Sequence, residues 1–332
     1  MRDIKFMPEW KRQFATIIAM PHKNSDWKPY IAEAQASISE IITQIARFQR
    51  VIVLYENERD IKKLRKQKNV ILWRIRLNDS WCRDFAPLSV KKGGKIVLLD
   101  FIFNAWGAKY ESALDNKAGA KIHKKLRKNF EWRYGRVKLA QKNFIFEGGS
   151  IDTNGKTLLT TAQCLLSKNR NDLSKARLTQ KLQKYFGVKR VIWLENGFLE
   201  GDDTDSHIDN LARFVDKKTI VYLKCDDRND AHFSALEAME VELKKKCGDF
   251  KLVALPLPKA IFYDGARLPA SYVNFIFANG AIFVPIFGDE NGDKKAIEIF
   301  KRVAKGREVV PVDSRVLIRQ GGGLHCSTMN LM

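Results

Sequence analysis

The segment Asp152-Thr153-Asn154-Gly155-Lys156 lies between two apolar stretches and has the composition of a tight β-hairpin turn. Asn-Gly is favoured in such turns because both residues tolerate positive φ angles. Turn-forming segments flanked by apolar residues occur four times along the chain, centred near residues 93, 155, 217 and 279. The interval of about 62 residues is constant. A fixed interval of this length indicates a repeat architecture.

Amphipathic helical patterns recur with a similar spacing. Apolar residues three and four positions apart predict one helix in each repeat. The predicted helices span residues 32–48, 112–126, 173–186, 233–246 and 296–304. Each repeat therefore combines a helix, strand residues and a hairpin, which predicts an α/β fold.

The length of the chain leaves the fifth repeat incomplete. A fifth hairpin turn would fall near residue 31 or beyond the last residue. We predict circular closure, in which the last strand (326–331) pairs with the first (14–20) and leaves no exposed sheet edge. The alternative is two separate α/β domains. No Gly/Ser-rich or Pro-rich linker marks a boundary, so we expect one domain over residues 1–332.

The composition is typical of a soluble cytoplasmic protein. The 332 residues are 45% apolar, and the chain starts with polar residues rather than a signal peptide. The apolar stretch 14–20 is too short to cross a membrane, and the stretch 272–287 is interrupted by Asn274, Asn279, Gly280 and Pro285. The five cysteines are scattered and lack CxxC spacing, which argues against disulfides and a cysteine zinc site.

The net charge of +21 raises the question of an anionic partner. The densest basic stretch, residues 121–138, also contains Phe130, Trp132 and Tyr134. It could bind RNA. A solvated helix face followed by a strand is the simpler interpretation, because charge runs usually lie on solvated surfaces.

An acidic segment stands out against this basic background. Between Arg190 and Arg213 there is no lysine or arginine, but there are six acids: Glu195, Glu200, Asp202, Asp203, Asp205 and Asp209. This segment suggests a small cationic substrate. If the chain is extended from His207, then His207 and Asp209 face the same side. A plain loop and a divalent metal site of Asp202, Asp203, Asp205 and His207 are the alternatives, although the spacing lacks the glycine and glutamate of an EF-hand.

Cys326 follows three glycines, residues 321–323, and is a candidate nucleophile because glycine allows close approach of a ligand. In a strand, His325 would point away from Cys326, so His207 is the better acid/base partner. Taken alone, Glu147 could be a turn or capping group, and Asp84 could pair with Arg83. We interpret Cys82 as a packing residue.

At these residues the sequence resembles the agmatine deiminase family, within the guanidine-group-modifying (pentein) superfamily. The resemblance covers nearly the whole chain. It rests on these motifs: Met20-Pro21-His22 with Asp26-Trp27, Trp81-Cys82-Arg83-Asp84, Phe103-Asn104-Ala105-Trp106-Gly107-Ala108-Lys109-Tyr110, Glu147-Gly148-Gly149, His207-Ile208-Asp209-Asn210-Leu211-Ala212-Arg213-Phe214 and Gly321-Gly322-Gly323-Leu324-His325-Cys326-Ser327-Thr328.

The resemblance implies a five-bladed α/β propeller, the pentein fold. It implies hydrolysis of agmatine to N-carbamoylputrescine and ammonia, in putrescine (polyamine) biosynthesis, without a metal or organic cofactor. The implied catalytic residues are Cys326 as the nucleophile, His207 as the general acid/base, Glu147 and Asp209. The implied substrate-binding residues are Asp84, Asp203, Trp81 and Trp106.

Several alternatives stay open at this point. Asp202 lies next to Asp203 and could replace it, and either protonated His207 or the bound cation could stabilise the Cys326 thiolate. Ser206 and Ala86 occupy positions where glycine is common in the family.

The rival functions are a deiminase of arginine or peptidyl-arginine and an RNA-binding protein. An arginine substrate would favour an arginine in the site to hold its carboxylate, whereas agmatine carries an amine. RNA binding leaves the acidic segment and the cysteine unexplained. We therefore expect a small cationic substrate and neither a nucleic-acid nor a membrane partner. A homodimer is possible.

Overall fold

The computed structural model describes residues 4–332, and the side chains of Trp132 and Tyr134 in the basic stretch lie outside the described part. Strands and helices alternate along the chain. The strands are β1 (Ile4–Phe6), β2 (Ala15–Ala19), β3 (Arg50–Tyr55), β4 (Val70–Arg74), β5 (Leu88–Lys92), β6 (Lys95–Ile102), β7 (Lys138–Ile145), β8 (Ile151–Thr153), β9 (Thr157–Thr161), β10 (Arg190–Leu194), β11 (Ala212–Phe214), β12 (Thr219–Lys224), β13 (Lys251–Pro256), β14 (Phe262–Tyr263), β15 (Ala266–Arg267), β16 (Ile276–Ala278), β17 (Ala281–Ile286), β18 (Glu308–Asp313) and β19 (Thr328–Leu331). The helices are α1 (Ile31–Ala46), α2 (Cys82–Phe85), α3 (Ala105–Ala108), α4 (Ala118–Asn129), α5 (Glu131–Tyr134), α6 (Ala162–Leu165), α7 (Lys175–Phe186), α8 (Phe233–Lys246) and α9 (Glu290–Val303).

Five sheets repeat one topology, and they form the blades of a five-bladed α/β propeller. In each blade an antiparallel pair is followed by a helix and a third strand that pairs in parallel. The blades are β5-β6-β7, β8-β9-β10, β11-β12-β13, β16-β17-β18 and β19-β2-β3. Two of them have a fourth strand: β1 pairs antiparallel with β5, and β4 pairs parallel with β3. The short hairpin β14-β15 stands outside this pattern.

Circular closure is confirmed by the pairing of β19 with β2. The two strands run antiparallel, with Thr328 opposite Ile18 and Leu331 opposite Ala15. No fifth hairpin turn forms near residue 31, because Ile31 begins α1. The last strand therefore supplies the antiparallel partner that the first blade lacks in sequence order.

The four predicted hairpin turns are present between the antiparallel strands of the other blades. Gly155 and Gly280 adopt positive φ angles of 87° and 84°, as tight turns require. The third turn has no glycine. There the Asp216 carboxylate accepts hydrogen bonds from the backbone N–H groups of Lys218 and Thr219, at 2.7 and 2.8 Å.

The helix predictions locate all five long helices but miss two starting points. Helix α9 begins at Glu290 rather than residue 296, because the Asp289 side chain caps it by accepting from the Gly292 N–H at 3.2 Å. Helix α4 begins at Ala118 rather than residue 112.

The basic stretch folds mainly as α4, the short helix α5 and the start of β7. Ala118, Ile122 and Leu126 form the buried face of α4, and its lysines and arginine lie on the other side. This agrees with a solvated helix face followed by a strand. Across residues 4–332, none of the helices is both long and apolar enough to span a bilayer.

The blades are covered by apolar side chains on both faces. In β9, Leu158 belongs to one apolar cluster and its neighbour Leu159 to the other, and Ile276 and Phe277 divide in the same way in β16. Side chains alternate along strands, so each of these sheets packs between the two clusters. Segments that precede antiparallel strands in different blades meet at one place, so residues that are far apart in the sequence lie close together there.

Candidate active site

Cys326 lies shortly after the glycine run, is 4% exposed and lines a pocket. A Cβ atom on Gly322 would lie 2.5 Å from the Trp81 ring, and one on Gly323 would lie 2.4 Å from Asn274 Oδ1. The two glycines therefore let the turn pack directly against these side chains. The Asn274 amide donates to Cys326 Sγ at 3.3 Å.

Asp209 is fully buried beside the thiol, with its Oδ2 atom 3.7 Å from Cys326 Sγ. The condition of an extended chain from His207 is not met, because Ile208–Asn210 forms a 3-10 turn stabilised by local hydrogen bonds. His207 and Asp209 nevertheless face the same site. A Cβ on Gly149 would lie 2.6 Å from His207 Nδ1 and 2.9 Å from Asp209 Oδ2.

His325 contacts the site through Asp209, and the strand geometry on which its expected direction relied is not present. Residues 325–327 form a turn, and β19 begins only at Thr328, so strand alternation does not apply. His325 Nδ1 lies 2.7 Å from Asp209 Oδ2. The imidazole therefore contacts the carboxylate that is next to the thiol.

His207 is fully buried between two carboxylates. Its Nε2 atom lies 3.4 Å from Glu147 Oε2, and its Nδ1 atom lies 3.9 Å from Asp84 Oδ1. Glu147 precedes the 3-10 turn Gly148–Ser150, but its side chain does not cap this turn. Arg170 donates through Nε to both oxygens of Glu147, at 3.0 and 2.8 Å, which fixes this carboxylate under the imidazole.

Asp84 does not pair with Arg83. Its Oδ1 atom accepts from the Gly149 N–H at 2.8 Å, and its Oδ2 atom accepts from Trp106 Nε1 at 2.9 Å. Arg83 instead contacts Glu9. Asp84 is thereby held at the pocket, together with Cys326.

Trp106 is positioned by an unusual backbone segment. Helix α3 is left-handed, with φ angles of 50° at Ala105, 55° at Trp106, 95° at Gly107 and 65° at Ala108. Such angles cost roughly 1–2 kcal/mol per non-glycine residue. The Asn104 side chain accepts from the Gly107 N–H at 3.0 Å and closes the turn. Strain of this kind is often concentrated at functional sites.

The outer part of the pocket is lined by aromatic and acidic side chains. Trp81 and Trp106 line it together with Asp26, Asp79 and Asp203. Among the described lining residues there is no lysine or arginine.

Asp203, rather than Asp202, faces this pocket. Asp203 Oδ2 accepts from the Tyr110 hydroxyl at 2.8 Å. Asp202 accepts from the backbone N–H groups of Thr204 and Ser206 and so holds the loop. Ser206 keeps a φ of 65°, which explains the preference for glycine in the family, whereas Ala86 has an ordinary φ of −78°.

The metal alternative built on the acidic segment is not supported. In the described chain, the group with ligand atoms within 4.8 Å of one another is Glu147, Cys164 and His207. Glu147 is already occupied by Arg170, and Asp205 pairs with Arg170 and Lys109. Cys82 is a packing residue, since it is buried and its thiol donates to the carbonyl oxygens of Ile17 and Ser327.

The electrostatics of the pocket keep the thiol neutral and the imidazole charged. Burial, Asp209 and Asp84 raise the pKa of Cys326 well above its usual value. Burial opposes protonation of His207, but Asp84, Cys164 and Glu147 outweigh it and raise the pKa of His207 well above its usual value. Burial raises the pKa of Asp84 to about 6, although His207 opposes this shift.

Four contributors to the site are absent from the sequence prediction: Glu9, Arg170, Asn274 and His325. Asn274 had a visible signal, because it interrupts an apolar stretch. Arg170 and Glu9 had none, because they lie far from the motif residues that they contact. His325 was set aside through the wrong assignment of a strand.

A family model for Porphyromonas-type peptidyl-arginine deiminases matches residues 5–331. The chain belongs to this family. The match spans all five blades, as the resemblance of the motifs predicts.

The chain is also similar to proteins that are named agmatine deiminase. An agmatine deiminase of Medicago truncatula is 31% identical over 96% of this chain and 94% of the relative. The structure of a C. jejuni agmatine deiminase variant with substrate bound is 41% identical, with a TM-score of 0.91 over 99% of this chain and 96% of that chain. The agmatine deiminase of Enterococcus faecalis is 26% identical, with a TM-score of 0.88 over 99% and 96%. These likenesses extend over whole chains rather than one motif.

The pentein fold is confirmed at a greater distance. The DDAH of Pseudomonas aeruginosa is 13% identical, with a TM-score of 0.52 over 96% of this chain and 100% of that chain. At this identity the likeness concerns the fold alone.

Proposed function

We propose that this chain is an agmatine deiminase that hydrolyses the guanidinium group of agmatine to N-carbamoylputrescine and ammonia. The observation that carries the proposal is the cluster beside the pocket in which Cys326 contacts Asp209 and His207 contacts Asp84 and Glu147. Two atoms in this site lack a hydrogen-bond partner within the described chain, Asp209 Oδ1 and His207 Nδ1. Buried polar atoms without a partner are costly. A bound guanidinium would donate to Asp209 Oδ1, and its leaving nitrogen would accept from His207 Nδ1 once attack on the carbon gives that nitrogen a lone pair.

Asp84 and Asp209 are the proposed clamp for the guanidinium. Carboxylates hold this planar cation through paired, charge-assisted hydrogen bonds, which fix its orientation. Each carboxylate is itself held, Asp84 by Gly149 and Trp106 and Asp209 by His325. A clamp with fixed oxygens places the central carbon at the Cys326 thiol.

The bound cation is the proposed activator of Cys326. In the free site, two of the groups that raise the pKa of the thiol are Asp209 and Asp84. A guanidinium held between these carboxylates offsets their charge. Bound substrate should therefore lower the pKa of the Cys326 thiol and favour the thiolate. The Asn274 amide, 3.3 Å from Sγ, adds a donor to the thiolate.

The proposed reaction has two steps. The sulfur attacks the central carbon, the carbon–nitrogen bond breaks, and protonated His207 donates its proton to the departing ammonia. The thiol proton passes to solvent when the thiolate forms, and the proton that leaves with ammonia comes from His207. Neutral His207 then accepts one proton from water, whose oxygen attacks the carbon. As the carbon–sulfur bond breaks, the second proton of water passes to the Cys326 sulfur and the ureido product leaves. The mechanism uses side chains of the protein and requires no metal or cofactor.

The outer pocket favours an amine over a carboxylate at the other end of the substrate. Asp79, Asp26 and Asp203 would attract the agmatine ammonium and repel the carboxylate of arginine. Burial raises the pKa of Asp79 to about 7, a value that a bound cation would lower. We therefore favour agmatine over arginine or peptidyl-arginine, with Trp81 and Trp106 along the alkyl chain.

The test is to incubate the purified protein with agmatine and with arginine in the presence of EDTA, and to measure ammonia and the ureido product. We expect ammonia from agmatine and little from arginine. The Asp79→Asn variant should raise the KM for agmatine and leave kcat nearly unchanged. Ammonia from arginine alone would refute the proposed substrate, and a requirement for metal would refute the proposed mechanism.

The same proposal includes a cytoplasmic location, a single catalytic domain over residues 1–332 and, in solution, a possible homodimer. Size-exclusion chromatography with light scattering measures the oligomeric state directly.

A further inference from the structure

His325 bridges two carboxylates that belong to distant parts of the chain. Its Nδ1 atom lies 2.7 Å from Asp209 Oδ2, and its Nε2 atom lies 2.8 Å from Glu9 Oε1. The imidazole is 1% exposed. Asp209 contacts the thiol of Cys326, so this chain of contacts leads from the N-terminal segment to the proposed nucleophile.

The two contacts define the protonation state of His325. A carboxylate only accepts hydrogen bonds, so each ring nitrogen must carry a proton to donate one. Both nitrogens can donate at once only in the imidazolium form. The positions of Asp209 and Glu9 therefore fit a protonated imidazole held between them.

The Glu9 end of the bridge is firmly held. Arg83 Nη1 donates to Glu9 Oε1 at 2.8 Å, and Arg213 Nη2 donates to Glu9 Oε2 at 2.7 Å. Arg83 and Arg213 are themselves buried. The Gln13 amide donates to the Glu9 carbonyl at 2.8 Å, which fixes the backbone of the N-terminal segment.

The Asp209 end depends on His325. Among the described side chains, His325 is the donor within ordinary hydrogen-bond distance of the Asp209 carboxylate, since the Cys326 thiol is at 3.7 Å. Because His325 and Cys326 both contact Oδ2, the Oδ1 atom stays available for substrate. The charged groups that act on Asp209 are His325, His207 and Arg213. Asp84 and Asp209 both lie next to Gly149.

We propose that His325 is a positioning residue, a buried imidazolium that Glu9 holds in place and that in turn orients Asp209 toward the guanidinium and the thiol. This inference rests on the proposed function. It adds two residues to the proposed site, His325 and Glu9. His325 contacts neither the pocket nor the reacting atoms directly. It acts through Asp209.

Removal of the His325 side chain should change both the ionisation and the position of the Asp209 carboxylate. Burial raises the pKa of Asp209, and His325 is the largest of the groups that outweigh it and lower that pKa. Without His325 the carboxyl should stay protonated to higher pH. The acidic limb of kcat/KM should therefore shift to higher pH, because a protonated Asp209 cannot bind the cation as a clamp.

The test compares His325→Gln, Glu9→Gln and the double variant, with agmatine as the substrate. We expect kcat/KM at the plateau to fall by about 100-fold in His325→Gln, the loss typical of a misplaced reacting group, and the acidic limb to move up. Glu9→Gln should move the limb in the same direction. In the His325→Gln background, Glu9→Gln should have little further effect, because Glu9 acts through the imidazole.

Asp152→Asn is the matched control. Asp152 accepts from Arg213 Nε at 3.3 Å in the same buried network but does not contact His325. We expect this variant to lose thermal stability and to keep the acidic limb of the unchanged protein. Activities are compared per folded protein, which circular dichroism measures.

Two outcomes would overturn the inference. One is an acidic limb that stays in place in His325→Gln, and the other is fully additive losses in the double variant. If the unchanged protein does not release ammonia from agmatine, the proposed function itself fails. This result differs from a failure of the His325 inference, because it is measured on the unchanged protein and not on a variant.

Discussion

Asp84 connects the charge of the pocket to the pH dependence of the reaction. Burial first, and then Asp209 and Glu147, raise the pKa of Asp84 to about 6, while His207 opposes the shift. The carboxyl is ionised above this pKa and protonated below it. We expect kcat/KM for agmatine to fall as the pH drops through about 6, since kcat/KM reports ionisations of the free enzyme.

Asp79 lies on the same pocket with a pKa of about 7, so its ionisation adds to the acidic limb. The pH profiles of Asp79→Asn and the unchanged protein separate the two groups. A flat profile between pH 5 and pH 8 would show that neither carboxyl matters for substrate capture.

Gly149 gives a second prediction at the scale of one residue. A Cβ there would lie 2.6 Å from His207 Nδ1, 2.9 Å from Asp209 Oδ2 and 3.1 Å from Asp84 Oδ1. Gly149→Ala should therefore displace the clamp and lower kcat/KM by about 100-fold or more. The control is Gly248→Ala, where a Cβ would meet only the Lys244 carbonyl at 3.4 Å. Equal activity of both variants would contradict the described geometry.

Individual roles could be predicted from sequence only where a motif supplied them. Cys326, His207, Asp84 and Asp209 were proposed in this way. Cys326 and Asp84 line the pocket, Asp209 lies 3.7 Å from the thiol, and His207 lies 3.9 Å from Asp84. Their partners were not identified. Arg170 and Glu9 contact site residues only in the folded chain. Glu9 and His325 are 316 residues apart, so no local sequence pattern indicates their contact.

Hairpin turns are the elements that the sequence specifies best. In the second blade, Asn154 Oδ1 accepts from the N–H groups of Lys156 and Thr157, at 3.0 and 2.8 Å. Asp216 makes the equivalent contacts in the third turn without a glycine. Local side-chain hydrogen bonds of this kind define a turn, so it could be predicted from a few residues.

The two turns predict a matched pair of variants. Asp216→Ala should lower the free energy of unfolding by about 1 kcal/mol through the lost hydrogen bonds. Asp216→Asn should retain most of the stability, because Asn154 already forms the same contacts in the preceding repeat. Urea unfolding followed by circular dichroism measures both, and equal stabilities would show that the side chain is not needed for the turn.

Elements that depend on contacts beyond the turn could not be predicted from periodicity. The first turn of α9 lacks an apolar pattern and is fixed by the Asp289 cap, so its start was placed six residues too late. The left-handed turn at Ala105–Ala108 is another case, since its angles are unfavourable for alanine and tryptophan. It persists through its contacts with Asp84 and Asn104.

At the scale of the molecule, closure of the ring connects the two ends of the described chain. The site depends on this closure, because Cys326 immediately precedes β19 and β19 pairs with β2. The two apolar clusters lie on opposite faces of shared sheets. We therefore expect the blades to unfold together.

Leu331→Ala tests this expectation. Leu331 is fully buried in β19, so its truncation should lower the free energy of unfolding by about 2–5 kcal/mol. The loss of activity and the loss of circular dichroism should coincide in one transition, in the variant as in the unchanged protein. Two separate transitions would favour two independent domains.

The most direct test of the central claim is mass spectrometry of the protein stopped during turnover with agmatine. The account predicts that the peptide containing Cys326 gains the mass of agmatine less one ammonia, and that Cys326→Ala neither gains this mass nor turns over. Full turnover by Cys326→Ala, or the adduct on another cysteine, would contradict the assignment of Cys326 as the nucleophile.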